Sequence, residues 1–178
     1  MFNPKKLCLF LLIFLFSCNN EMADGFLLDG EKIDWKKVPT KEKTVSELEF
    51  LNQVMPRLKT KKIPISVLGG LALYKTNGGK DYLKTTNNPF NIECYEKKCP
   101  QTHCVKYHNK KIRNFQNIKN AVEFQCNILI HVKERKNAAI FLYEMQNLQH
   151  FTSEIDFNVG AICVYIKTYK LRELDKNI

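Results

Sequence analysis

The sequence predicts a mostly helical domain with one small β-hairpin, and three observations carry that expectation. Apolar residues recur at three- and four-residue spacing over five separate stretches. Two runs of four and five residues between the second and third stretches are too short for helices and read as strands. The breakers Asn77-Gly78-Gly79 and Asn87-Asn88-Pro89 keep the second stretch apart from those runs.

Ser46-Glu47-Leu48-Glu49 fits a capping box, in which the serine hydroxyl and the glutamate side chain satisfy free N–H groups of the first turn. The spacing of Leu48, Leu51, Val54, Met55 and Leu58 then predicts a helix from Glu47 to Leu58 with one buried stripe. Pro64 suits the first turn of a second helix, Ile65 to Tyr74. Its Val67, Leu68, Leu71 and Ala72 leave almost no polar face, so it should lie at the centre of the domain. Residues 74–92 are rich in turns and should border any cleft. Ile92–Tyr95 and Lys111–Phe115 read as two strands joined by a Lys/Cys/His loop. Helices follow over Ile118–Val132, Ala138–Leu148 and Phe157–Tyr169.

The N-terminus reads as an export signal rather than as part of the fold. Lys5 and Lys6 precede ten apolar residues, Leu7 to Phe16, which suit a signal h-region and are too few to span a bilayer. Leu15-Phe16-Ser17-Cys18 resembles the lipobox read by the lipoprotein signal peptidase, although Phe16 is bulkier than the usual residue. That resemblance implies cleavage before Cys18 and lipidation of its thiol; an ordinary secretory signal is the plainer alternative. The expected organisation is a signal peptide over 1–17, a lipidated tether over 18–43 and one domain over 44–178. The polar tether holds the breakers Asp24-Gly25, Asp29-Gly30 and Pro39, with one short ordered stretch around Trp35.

Removing the signal leaves 161 residues, enough for one domain with a single core. The net charge of +10 falls to +8 with the loss of Lys5 and Lys6, and the remaining lysines are scattered. Nucleic acid is a poor partner for such an exported chain; anionic wall polymer, lipid headgroups or plain solvation account for the charge. Five cysteines remain besides Cys8 and Cys18, so at least one is unpaired within the monomer. Cys94, Cys99 and Cys104 lie close enough for a disulfide, the expected outcome outside the cytoplasm. With His103 and His108 they also invite a zinc reading, but the spacing lacks a CxxC knuckle, and neither metal nor cofactor is expected.

Ordered motifs from Phe50 to Asp175 then resemble the glucosaminidase domain of bacterial cell-wall autolysins, glycoside hydrolase family 73. Ile63-Pro64-Ile65-Ser66-Val67 resembles the family's I-P-A-S-V helix start, and Gly79-Lys80-Asp81-Tyr82-Leu83 its G-x-S-x-L turn. Asn87-Asn88-Pro89-Phe90-Asn91-Ile92 resembles N-N-x-F-G-I, the most specific of the set. Arg113-Asn114-Phe115 resembles F-R-x-Y, and Ala161–Asp175 the last helix with its Y-x-L-x-x-x-D ending. The resemblance implies a mainly α, lysozyme-like α+β domain with its hairpin beside the cleft.

It also implies a cell-envelope location and a partner in peptidoglycan or a related N-acetylglucosamine glycan. Asn87, Asn88, Phe90 and Phe115 are the substrate-binding candidates, though turn-capping and core packing are the ordinary roles of such residues. The family's general acid, however, falls on Lys75. Glycosidic cleavage needs a protonated carboxyl at the leaving oxygen. Lysine, with an ordinary pKa near 10.4, gives up its proton reluctantly, and its positive charge opposes an oxocarbenium-like transition state. The family's active-site tyrosine is Phe115, and S-x-x-D-H reads Ala121-Val122-Glu123-Phe124-Gln125. No catalytic set is therefore intact, with Glu93, Glu96 and Glu123 as substitute acids. The expected function is glycan or protein binding with lost or weak hydrolysis. A working N-acetylglucosaminidase with a displaced carboxylate and a non-catalytic envelope assembly protein are the alternatives.

Overall fold

The computed structural model describes residues 28–30, 32–60, 62–94, 104–129, 132–133, 135–149 and 158–177. The signal peptide, Cys18, Glu96, Cys99 and His103 lie outside them. The fold is the expected mainly helical one with a small antiparallel hairpin.

Strands β1 (Leu28–Asp29) and β2 (Lys32–Ile33) pair at the beginning of the described residues. Helix α1 spans Val45–Val54 and continues as a 3-10 turn over Met55–Arg57. Its cap differs from the expected one: Thr44, not Ser46, is the N-cap, and Glu47, not Glu49, completes the box. Thr44 has extended backbone, so its hydroxyl accepts from Glu47 N at 3.3 Å while the Glu47 carboxylate accepts from Thr44 N at 3.2 Å. Helix α2, Ile65–Lys75, is the central helix; Val67, Leu68, Leu71, Ala72 and Leu73 are fully buried. Each buried leucine contributes about 1.5–3 kcal/mol of hydrophobic stabilisation.

Strands β3 (Cys104–Tyr107) and β4 (Lys110–Arg113) form the hairpin in the register Cys104↔Arg113 to Tyr107↔Lys110. The expected pairing of Ile92–Tyr95 with Lys111–Phe115 is thus corrected. The segment at Ile92 instead meets the other side of β4 through an isolated bridge at Glu93↔Ile112 and the bonds Arg113 N→Ile92 O and Cys94 N→Lys111 O. Helices α3 (Ile118–Ile128), α4 (Ala138–Gln149) and α5 (Val159–Thr168) follow, and a 3-10 segment over Leu171–Asn177 ends the fold. Asn117 and Asn158 cap α3 and α5 by accepting from Asn120 N and Ala161 N.

Helix α5 packs along α2 where Gly70 removes a side chain. A Cβ there would sit 2.6 Å from Ile166 Cγ1, so the helices meet at a distance that only glycine permits. Two distant motifs also prove to be partners. Asp175 accepts from Ser66 N at 2.9 Å and Ser66 Oγ at 2.6 Å, satisfying donors in the first turn of α2 that Pro64 cannot cap. The expected tether is shorter than the sequence indicated. Ile33 and Val38 are buried in the core, with β2 against α4, so residues from 32 onward belong to the domain.

Candidate functional site

Lys75 is the last residue of α2, half-buried, with its ammonium 5.6 Å from the centre of the Tyr74 ring. What holds this helix end is the turn over residues 87–92. Asn91 donates to the carbonyls of Lys75 at 2.9 Å and Asp81 at 3.3 Å. Asn88 donates to Ile92 O at 3.0 Å and Arg113 O at 2.9 Å, and accepts from Ile92 N at 3.1 Å. Asn87 donates to Phe115 O and Gln116 O at 3.0 and 3.2 Å. Three asparagines thereby fix the end of α2 to the hairpin and to the approach to α3. Asn87 and Asn91 have φ of 50° and 45°, a left-handed conformation that asparagine tolerates better than most residues. Asn91, where the family motif carries glycine, is the residue of this network that sequence reading passed over.

These contacts correct two of the substrate-binding assignments. Asn88 is fully buried with its amide committed to backbone partners, and Phe90 is 1 % exposed inside the core, so neither presents a surface to a sugar. The reason is geometric: the left-handed residue on each side of the Asn88-Pro89-Phe90 segment turns it inward. Asn87 and Phe115 stay partly accessible. Phe115 stands 5.8 Å from Phe124, and the Arg113 guanidinium lies 4.2 Å from the Phe124 ring and 5.5 Å from Phe115. The arginine is thus stacked on two aromatic rings. Ala121 and Gln125 are buried on α3.

Two of the substitute acids, Glu93 and Glu123, lie among the described residues. Glu93 is ion-paired with Lys110, and Glu123 is exposed on α3. Cys94 and Cys104 form a disulfide with Cα atoms 6.2 Å apart, tying the Glu93 segment to the start of β3. That bond takes two of the thiols the zinc reading required. Cys126 and Cys163 are buried and take no part in this disulfide, and burial raises the Cys126 thiol.

The one deeply buried carboxylate of the described residues is Glu47, read from sequence only as the start of a helix. It is 4 % exposed and accepts from the Lys41 ammonium, the Tyr169 hydroxyl and the Thr44 amide. Burial pushes its pKa up, but hydrogen bonds from Lys41, Tyr169 and Thr44 outweigh it and leave the group below its ordinary 4.5. Tyr169 moves oppositely: burial and the bond to Glu47 raise it, so it keeps its proton as donor. A depressed carboxylate adds stability that is full above pH 4.5 and lost as pH falls through the folded value. Glu47→Gln should therefore melt well below the wild type near pH 7. The gap should narrow steadily as the pH falls below about 4.5, as followed by circular dichroism.

No protein-family model and no curated protein matches the sequence. Among solved structures the fold is similar to the catalytic domain of the autolysin Auto from Listeria monocytogenes, with a TM-score of 0.53 and 17 % identity. The match covers 75 % of this chain and 89 % of that one. At this identity the likeness establishes the fold alone.

Proposed function

We propose that this chain is a lipid-anchored protein of the bacterial cell envelope. In this reading its autolysin-like domain binds peptidoglycan or a related N-acetylglucosamine glycan without efficient cleavage. The observation that carries the reading is the end of α2: the asparagine-braced turn is in place around it, while the residue in the family's acid position is Lys75. Binding requires the scaffold, whereas hydrolysis also requires a positioned proton donor.

Two of the described carboxylates, Glu47 and Glu93, support the same reading. Glu47 is held as an acceptor by Lys41 and Tyr169 below the surface, and its lowered pKa is the opposite of what a general acid needs. Glu93 is engaged by Lys110. The stacked Arg113, Phe115 and Phe124 offer an apolar and cationic surface in place of polar catalytic partners. The lipid anchor and envelope location rest on Cys18 and the apolar run before it.

Incubating the chain from Asn19 to Ile178 with purified peptidoglycan tests the binding. The protein should pellet with the polymer and be released by soluble N-acetylglucosamine oligomers. Protein left in the supernatant at every polymer concentration would contradict the reading.

A further inference from the structure

Residues 32–44 run across the C-terminal end of α5 as a strap, and cations do much of the fastening. The Lys167 ammonium donates to the carbonyls of Val38 and, at 3.2 Å, Lys36. Lys41 bridges to Glu47 and lies 4.8 Å from the Tyr165 ring. Lys43 lies 5.7 Å from the Tyr169 ring, and the Arg172 guanidinium 4.7 Å from the ring of Trp35. Two segments far apart in the chain thus share one face, carrying exposed Lys36, Lys37 and Lys43 from the strap and Lys170 and Arg172 from beyond α5.

Lys37 has a carboxylate partner, Asp34 at 3.6 Å. Lys36, Lys43, Lys170 and Arg172 have none among the described residues; Lys43 and Arg172 lie against aromatic rings instead. The exposed acids of the same two segments, Glu42 and Glu173, leave the face net positive. The strap also follows directly on the β1–β2 pair at the beginning of the described residues. Leu28 follows Cys18 by ten residues, which span at most about 36 Å in any conformation.

We propose that this face docks on anionic lipid headgroups, holding the domain down on the membrane that carries its anchor. The proposal takes the source of the membrane from the lipoprotein reading, and its own content is the docking surface. Cations within a Debye length of an anionic bilayer, about 10 Å at 0.1 M salt, each favour the bound state by about fivefold. The surface is charged rather than apolar, so binding should weaken steeply with salt.

Trp35, the single tryptophan, lies in this face and reports on it directly. The chain from Asn19 to Ile178, which carries no lipid, is titrated with vesicles of phosphatidylglycerol and phosphatidylcholine, and with phosphatidylcholine alone. Binding to the anionic vesicles is expected, with a shift of Trp35 emission and quenching by brominated acyl chains. Combined Lys36→Glu, Lys43→Glu and Lys170→Glu should weaken it at least about a hundredfold, since three cations are lost and three anions added. The charge-matched control Lys84→Glu, Lys106→Glu and Lys119→Glu, on and beside the hairpin, should weaken it far less. Failure of the unsubstituted chain to bind, binding with Trp35 unquenched, or equal loss in both variants would overturn the proposal. So would a Trp35 response to purified wall polymer in place of vesicles, which would assign the face to the polymer. Fatty-acid labelling of Cys18 in the full chain tests the anchor separately, because vesicle docking of the unlipidated chain does not depend on it.

Discussion

Asn88→Ala is expected to lower the stability of the domain by about 2–4 kcal/mol, because it strips three hydrogen bonds from partly buried backbone groups. The side chain ties Ile92 on one flank to Arg113 on the other, and it is fully buried, so no water can take its place without the turn opening. Urea titration followed by far-UV circular dichroism reads the loss as a drop in midpoint at unchanged slope. If Asn88 met ligand instead of backbone, the variant would keep its stability and lose only glycan affinity.

Phe90→Ala is expected to be costly as well, about 3–5 kcal/mol, from lost burial plus the cavity left behind. Phe90 heads the largest fully buried side chains and packs in the main core with α2. The two losses should not add, since Asn88 and Phe90 share one turn. A double variant should fall short of the sum by 0.5 kcal/mol or more, roughly the coupling expected of neighbours. A Phe90→Ala protein that melts like the wild type and merely fails to bind glycan would restore Phe90 as a sugar platform.

Much of the fold was legible because the signals were local. Helix α2 is apolar on nearly every side, which only a central helix can be, and its observed end lies one residue beyond the reading. The cap of α1 was misplaced because two overlapping boxes, Thr44 with Glu47 and Ser46 with Glu49, satisfy the same local rule. The choice between them is made by Tyr169, 122 residues away, which engages Glu47 and has no counterpart at exposed Glu49. The strap was invisible for a related reason. Ile33 and Val38 are isolated apolar residues among lysines and turns, with no periodicity, and their burial depends on α4 and on the Lys167 bonds to the strap.

The site was legible as a set of motifs but not as a set of roles. Asn88 and Phe90 could be recognised from their order, yet whether they face solvent is decided by the left-handed backbone at Asn87 and Asn91. The disulfide pairing of Cys94 and Cys104 likewise depends on the strand register, because spacing alone leaves Cys99 equally eligible. Lys75 is different: its chemistry follows from residue type, and it is the last residue of α2.

Release of reducing ends from purified peptidoglycan by the chain from Asn19 to Ile178 tests that account most directly. It should not exceed a protein-free blank, even at protein concentrations that pellet fully with the polymer. Release by the wild type that Glu93→Gln, Glu96→Gln or Glu123→Gln abolishes would contradict it, for another carboxylate would then be doing the work that Lys75 cannot.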